Sequence, residues 1–126
     1  MSLKSPLGQV MGLGSARGGT GHWWSQRVSA LALLFLGLWF AAELICLESL
    51  GYQSLTTFMS SPVNAVLLVL LVATLFFHSL LGIQVVIEDY VHHAGLKVVV
   101  LVLIKFAHVL AVALGVYSVL RVGFGA

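Results

Sequence analysis

The sequence predicts an all-α membrane protein with three transmembrane helices, and three observations predict it. Hydrophobic residues make up 60% of the 126 residues and charged ones only 8%, a balance outside that of soluble domains. The apolar residues fall into three long runs: Val28 to Leu47, interrupted by Glu43; Val63 to Ile87, with no formal charge; and Val98 to Leu120, interrupted by Lys105. Each run meets the roughly 20 residues that a helix rising about 1.5 Å per residue needs to cross a hydrocarbon core about 30 Å thick. The polar remainder is an N-terminal segment, two short loops and a stub, too little for an aqueous catalytic domain, so any role in an enzyme is that of a subunit. The expected organisation is an N-terminal cytoplasmic segment over 1–27 and an anchor domain over 28–126, with helices over 28–47, 63–90 and 97–120.

The first run is about twice as long as a signal-peptide core and no small-residue cleavage site follows it, so it is expected to stay in the mature chain. Charge placement sets the expected orientation. Lys4, Arg17 and Arg27 precede the first helix and Lys97 lies in the second loop, whereas the opposite side carries only Arg121. The positive-inside rule then puts the N-terminus in the cytoplasm and the C-terminus outside. A net charge of +2 gives nucleic-acid binding no support. Cys46, the single cysteine, can form neither an internal disulfide nor a CxxC metal site and is read as an apolar packing residue.

Met1 to Gly21, which contains GLGSARGGTG, lacks apolar periodicity and reads as an irregular docking strap. GHWWSQR follows, and its His22, Trp23, Trp24 and Arg27 mark a membrane interface; a plain aromatic belt with a snorkelling arginine is the simpler account. In the first helix Ser29, Ala30, Gly37, Ala41 and Ala42 are small enough for close helix approach, and Glu43 snorkels to the surface. ESLGYQSLTTFMSSP reads as an outside connector whose Ser60, Ser61 and Pro62 form an N-cap and first helical position. Gly95 marks the turn between the second and third helices.

Polar chemistry concentrates in FFHSLLGIQVVIEDYVHHAGLK, from Phe76 to Lys97. His78 precedes Val86 by eight residues and so lies about 12 Å below the end of the helix, too deep for an imidazole to snorkel. Two roles remain open to it: a hydrogen bond to a neighbouring helix, or ligation of a metal or haem. At about 100° per residue Gly82, Val85 and Asp89 share its face, with Tyr90 about 120° round. This stripe could line a cofactor and an acid–base site, or it could pack on another helix. Asp89 and Tyr90 sit where lipid meets water, either as an acidic helix end with an aromatic anchor or as a proton relay and a hydrogen-bond donor to a carbonyl oxygen. His92 and His93 are adjacent, point apart on a helix and make a poor shared metal site. Lys105 can snorkel or pair with an anionic group, and His108, the competitor of His78 for any ligand role, is expected to make an interhelical hydrogen bond.

Two motifs then carry a resemblance across nearly the whole chain. GLGSARGGTGHWWSQRVSALAL and the pairing of His78 with Asp89 and Tyr90 within HSLLGIQVVIEDYVHHAGLK resemble the hydrophobic membrane-anchor subunit of bacterial succinate dehydrogenase (complex II, succinate:quinone oxidoreductase), of the alphaproteobacterial type. The resemblance implies a flavoprotein subunit with FAD that oxidises succinate, and an iron–sulfur subunit that passes electrons to the membrane. It also implies a second, cytochrome b556-type anchor subunit that shares a b-type haem, with the two anchors packing into one helical bundle in the bacterial inner membrane. By motif position His78 would be this chain's axial haem ligand, Tyr90 would donate to a ubiquinone carbonyl oxygen, Asp89 would support proton delivery, and Arg27 and His22 would lie near the haem propionates or the quinone. Trimers of such heterotetramers occur in the family. The resemblance is silent on Lys105 and His108. Two other readings stay open: a b-type subunit of another respiratory oxidoreductase such as fumarate reductase, favoured if His78 and His108 were paired ligands, and a haem-free anchor.

Overall fold

The computed structural model describes residues 19–125, which form four helices and no strand. They are α1 (Gly19–Cys46), α2 (Tyr52–Ser60), α3 (Pro62–Tyr90) and α4 (Ala94–Phe124). The proposed docking strap, and Lys4 and Arg17 of the charge argument, lie outside the described residues. Helices α1, α3 and α4 are each long and apolar enough to cross a membrane. At 28, 29 and 31 residues they reach about 42–46 Å, so their ends extend beyond the hydrocarbon into the headgroup layers. The expected all-α architecture of three spans is therefore what the chain adopts.

Helix α3 is central: it packs on α1 along one side and on α4 along the other, while α1 and α4 do not pack on each other. The spans form an open row, and most large apolar side chains face outward. The buried core lies at the α2 end, where Phe58 of α2, Ala65 and Leu68 of α3 and Val119 of α4 come together. Trp39 of α1 stacks on Phe58 with ring centroids 6.1 Å apart, which ties the first span to that cluster.

Several boundaries differ from the sequence expectation. Helix α1 begins at Gly19 rather than Val28, so GHWWSQR is helical and continuous with the span. The connector contains α2, a short helix that places Phe58 inward. Pro62 does occupy the first turn of α3 after Ser61, but the Ser61 side chain makes no capping bond, and Asn64 Nδ2 ties the junction by donating to Phe58 O at 3.1 Å. Gly95 is not the turn; it lies in the first turn of α4. The break is made at Val91–His93, where extended His93 accepts from Leu96 N–H through its Nδ1 at 3.3 Å and caps α4. Lys97 Nζ reaches back across the turn to donate to Glu88 O at 2.7 Å, satisfying a carbonyl at the negative end of α3. At the far end Gly125 adopts φ 67° and ψ 26°, the left-handed conformation that closes a helix C-terminus.

Candidate functional site

The α1–α3 interface is the polar one. His22, Gln26 and Ser29 are spaced i, i+4 and i+7, so they lie on one face of α1, and that face meets His78 and Gly82 of α3. Ser29 is 5% exposed and is the one buried polar residue among those described. Its Oγ lies 2.9 Å from His78 Nδ1, and Gln26 Nε2 lies 3.4 Å from His78 Nε2.

With the Gln26 amide nitrogen facing the ring, the donors and acceptors favour one tautomer. An amide nitrogen only donates, so His78 Nε2 beside Gln26 Nε2 presents its lone pair. The ring proton is then on Nδ1 and is donated to Ser29 Oγ, whose own proton goes to Gln26 O at 3.1 Å. His78 is thus anchored through one nitrogen, while the other offers a lone pair to a long, weak contact. A metal-ligating imidazole usually has this arrangement, with the second ring N–H held by an acceptor.

The interface is also incomplete. His22 Nε2 and Gln26 Oε1 are buried with no hydrogen-bond partner among the described residues, although groups so placed are ordinarily satisfied. A Cβ on Gly82 would sit 3.7 Å from Gln26 Nε2, an ordinary contact, so packing of α1 on α3 does not itself require glycine there. Gly115 and Gly123 of α4 differ: a Cβ would come within 2.7 Å of Val72 Cγ1 in the first case and 2.8 Å of Met59 O in the second. Beside Ser29 an open groove of about 430 Å³ runs between Trp24, Val28 and Ala32 of α1 and Thr74 and Phe77 of α3.

The remaining candidates fall elsewhere. Asp89 and Tyr90 end α3 on the surface, Tyr90 being 78% exposed, and the described residues do not enclose them. Asp89 is eleven residues beyond His78, about 16 Å along the helix. Arg27 is about 160° round α1 from Ser29 and holds its guanidinium 5.5 Å from the centre of the Trp23 ring, so His22, not Arg27, shares the His78 face. His92 is exposed, and its neighbour His93 is the cap of α4. His108 makes the expected interhelical bond: Nδ1–H donates to Ile104 O at 2.9 Å, and Nε2 accepts from Ser79 Oγ at 3.3 Å. It approaches α3 from α4 while His78 bonds to α1, so the two imidazoles do not form a pair. Lys105 is exposed and has no polar partner among the described residues. Cys46 is exposed, not packed as expected, because it ends α1 ahead of the connector. Among the described residues no three His, Cys, Asp or Glu side chains converge to hold a metal ion.

Residues 1–118 match the family of succinate dehydrogenase/fumarate reductase transmembrane subunits. The chain belongs to that family. It is 30% identical over 126 residues to the succinate dehydrogenase hydrophobic membrane anchor subunit of Paracoccus denitrificans, covering 100% of this chain and 97% of that protein. The subunit of the same name from Rickettsia bellii (strain RML369-C) is 29% identical over 117 residues, 93% of this chain and 94% of the relative. The resemblance carried by the two motifs thus holds at the level of family, and the family's transmembrane character agrees with the three spans.

Of the residues in this transmembrane subunit that gather at the α1–α3 interface, Gln26 carries no mark of its own in the sequence, and Ser29 reads there only as a small residue. The signal that finds both is the His22, Gln26, Ser29 stripe, a polar face on an apolar helix. It becomes visible once α1 is extended back to Gly19.

Proposed function

We propose that this chain is the hydrophobic membrane anchor of a bacterial succinate dehydrogenase, sharing a b-type haem with a cytochrome b556-type anchor subunit and presenting Asp89 and Tyr90 to ubiquinone. The observation that carries this reading is the state of His78, an imidazole at membrane depth with its Nδ1–H held by Ser29 and its Nε2 lone pair available. Gly82, one turn away, leaves space that the packing of the described residues does not require, and the unpartnered His22 Nε2, as an N–H, is the kind of buried donor a propionate would satisfy. Arg27 is a cation at that level, reaching from the other face of α1. Bound haem would supply a one-electron redox centre.

The exposed end of α3 suits quinone chemistry. Reducing a quinone takes two electrons and two protons, so the site needs donors near water and near the subunits that deliver electrons. Tyr90 O–H can donate to a quinone carbonyl oxygen, and Asp89 beside it can carry a proton from water. Their exposure in the isolated chain fits a pocket whose other walls come from the iron–sulfur subunit and the cytochrome b556-type anchor. The flavoprotein subunit would hold FAD and oxidise succinate. The cationic N-terminal side and Lys97 favour a cytoplasmic location for this end in the inner membrane, with the C-terminus periplasmic. The relatives are named for succinate dehydrogenase, which favours that enzyme over fumarate reductase.

Purification of the intact complex tests the reading directly. A reduced-minus-oxidised difference spectrum should show a b-type signal; its absence would sink the haem assignment. Tyr90→Phe removes one phenolic donor and should lower quinone reduction about tenfold, corresponding to about 1.4 kcal/mol. Succinate oxidation by an artificial acceptor should persist, and equal loss of both activities would overturn the role of Tyr90.

A further inference from the structure

The proposed ligand is held by an arrangement that assigns a role to another residue. Ser29 lies 49 positions from His78 in sequence, yet it is the buried partner of its ring. Its hydroxyl cannot donate to Nδ1 while also donating to Gln26 O, and Gln26 Nε2 on the other side of the ring can only donate. Together these groups favour one tautomer, proton on Nδ1 and lone pair on Nε2, and they fix the ring's rotation about its axis. Ser29 in turn is fixed by the carbonyl three residues earlier in its own helix.

We infer that Ser29 is a positioning residue for the haem ligand, setting the tautomer, orientation and donor strength of His78 through the Nδ1–H···Oγ bond. The inference rests on the haem reading proposed above. An acceptor on the second ring nitrogen raises the basicity of the first, and losing such a partner typically costs roughly 10- to 100-fold in metal affinity. The more highly charged ferric iron gains more from a basic imidazole than ferrous iron does, so removing Ser29 Oγ should favour the reduced state. A tenfold difference between the two oxidation states would raise the midpoint potential by about 59 mV for one electron. Gln26, whose amide lies 3.4 Å from Nε2 and whose Oε1 is unpartnered, makes only a long contact there and would yield that nitrogen to iron.

The test uses the whole complex carrying Ser29→Ala, Ser29→Thr or His78→Ala, purified alongside the wild type. Potentiometric titration of the b-type band, the low-spin ferric EPR spectrum and haem content per complex are the readouts. Ser29→Ala should raise the midpoint by tens of millivolts, on the scale of the about 59 mV per tenfold change, and should alter the EPR g-values through ring rotation. Ser29→Thr, which keeps the hydroxyl, should restore both toward wild type. Where Ser29→Ala does not assemble, Ser29→Cys, of similar volume and a poor acceptor, carries the same expectation. An unchanged potential and EPR spectrum in Ser29→Ala or Ser29→Cys, with the signal lost in His78→Ala, would overturn the positioning role and leave the haem reading standing. A wild type without b-type haem, or His78→Ala with an unaltered signal, would overturn the haem reading and this inference with it.

Discussion

Two histidines sit at membrane depth on opposite sides of α3, and their surroundings differ in kind. His108 is closed: one nitrogen donates to a backbone carbonyl of its own helix, the other accepts from Ser79, and Phe76 meets the ring edge-on at 6.0 Å. His78 is half-closed, with a firm bond to Ser29 and a slack contact to Gln26 among unpartnered buried atoms. The interfaces around them follow suit. The contacts of α4 with α2 and α3 require glycine at Gly115 and Gly123, whereas α1 on α3 leaves Gly82 without a steric reason. A histidine satisfied at both ring nitrogens, like His108, serves the scaffold, whereas His78 has one firm bond and one long contact in an interface with unpartnered polar atoms.

The largest effect should come from His78→Ala, which on the proposed reading abolishes or strongly perturbs the b-type spectrum while the three spans still insert. Unchanged haem content and optical spectrum would erase the distinction between the two sides of α3. Gly123→Ala attacks the closed side. Its new Cβ would press on the Met59 carbonyl, and overpacking of this sort costs about 1–3 kcal/mol. That loss should appear as a lower dissociation temperature of the complex with an unaltered haem spectrum. His108→Leu should do least, since an interhelical hydrogen bond within a membrane is worth about 0.6 kcal/mol on average. A spectral change in His108→Leu as large as that in His78→Ala would break the comparison.

The spans are legible in the sequence because each is a long apolar run, and the face shared by His78 and Gly82 follows from helical periodicity alone. What sequence does not supply is the partner of that face. Ser29 among alanines and leucines looks like a small packing residue until α1 is docked on α3. Gln26 looks like part of an interfacial motif until the helix is seen to start at Gly19. Helix α2 is hidden because its nine residues, rich in serine and threonine, resemble a connector; it is Phe58, buried against Ala65, Leu68 and Val119, that makes it structural. His93 invites a metal reading by its chemistry, but its place at the α3–α4 turn makes it a cap. Asp89 and Tyr90 stay defined by position at a helix end, because nothing among the described residues encloses them.

The open row of spans bears on how such a subunit is made. With α1 and α4 each touching only α3 among the spans, the newly inserted chain has little interior of its own and exposes its α1–α3 groove to lipid. Its lifetime before assembly would then depend on how quickly other surfaces cover those flanks, and membrane quality control would meet an unassembled copy as a damaged protein. Supply of the companion chains, more than the folding of this one, would set how much of it a cell keeps.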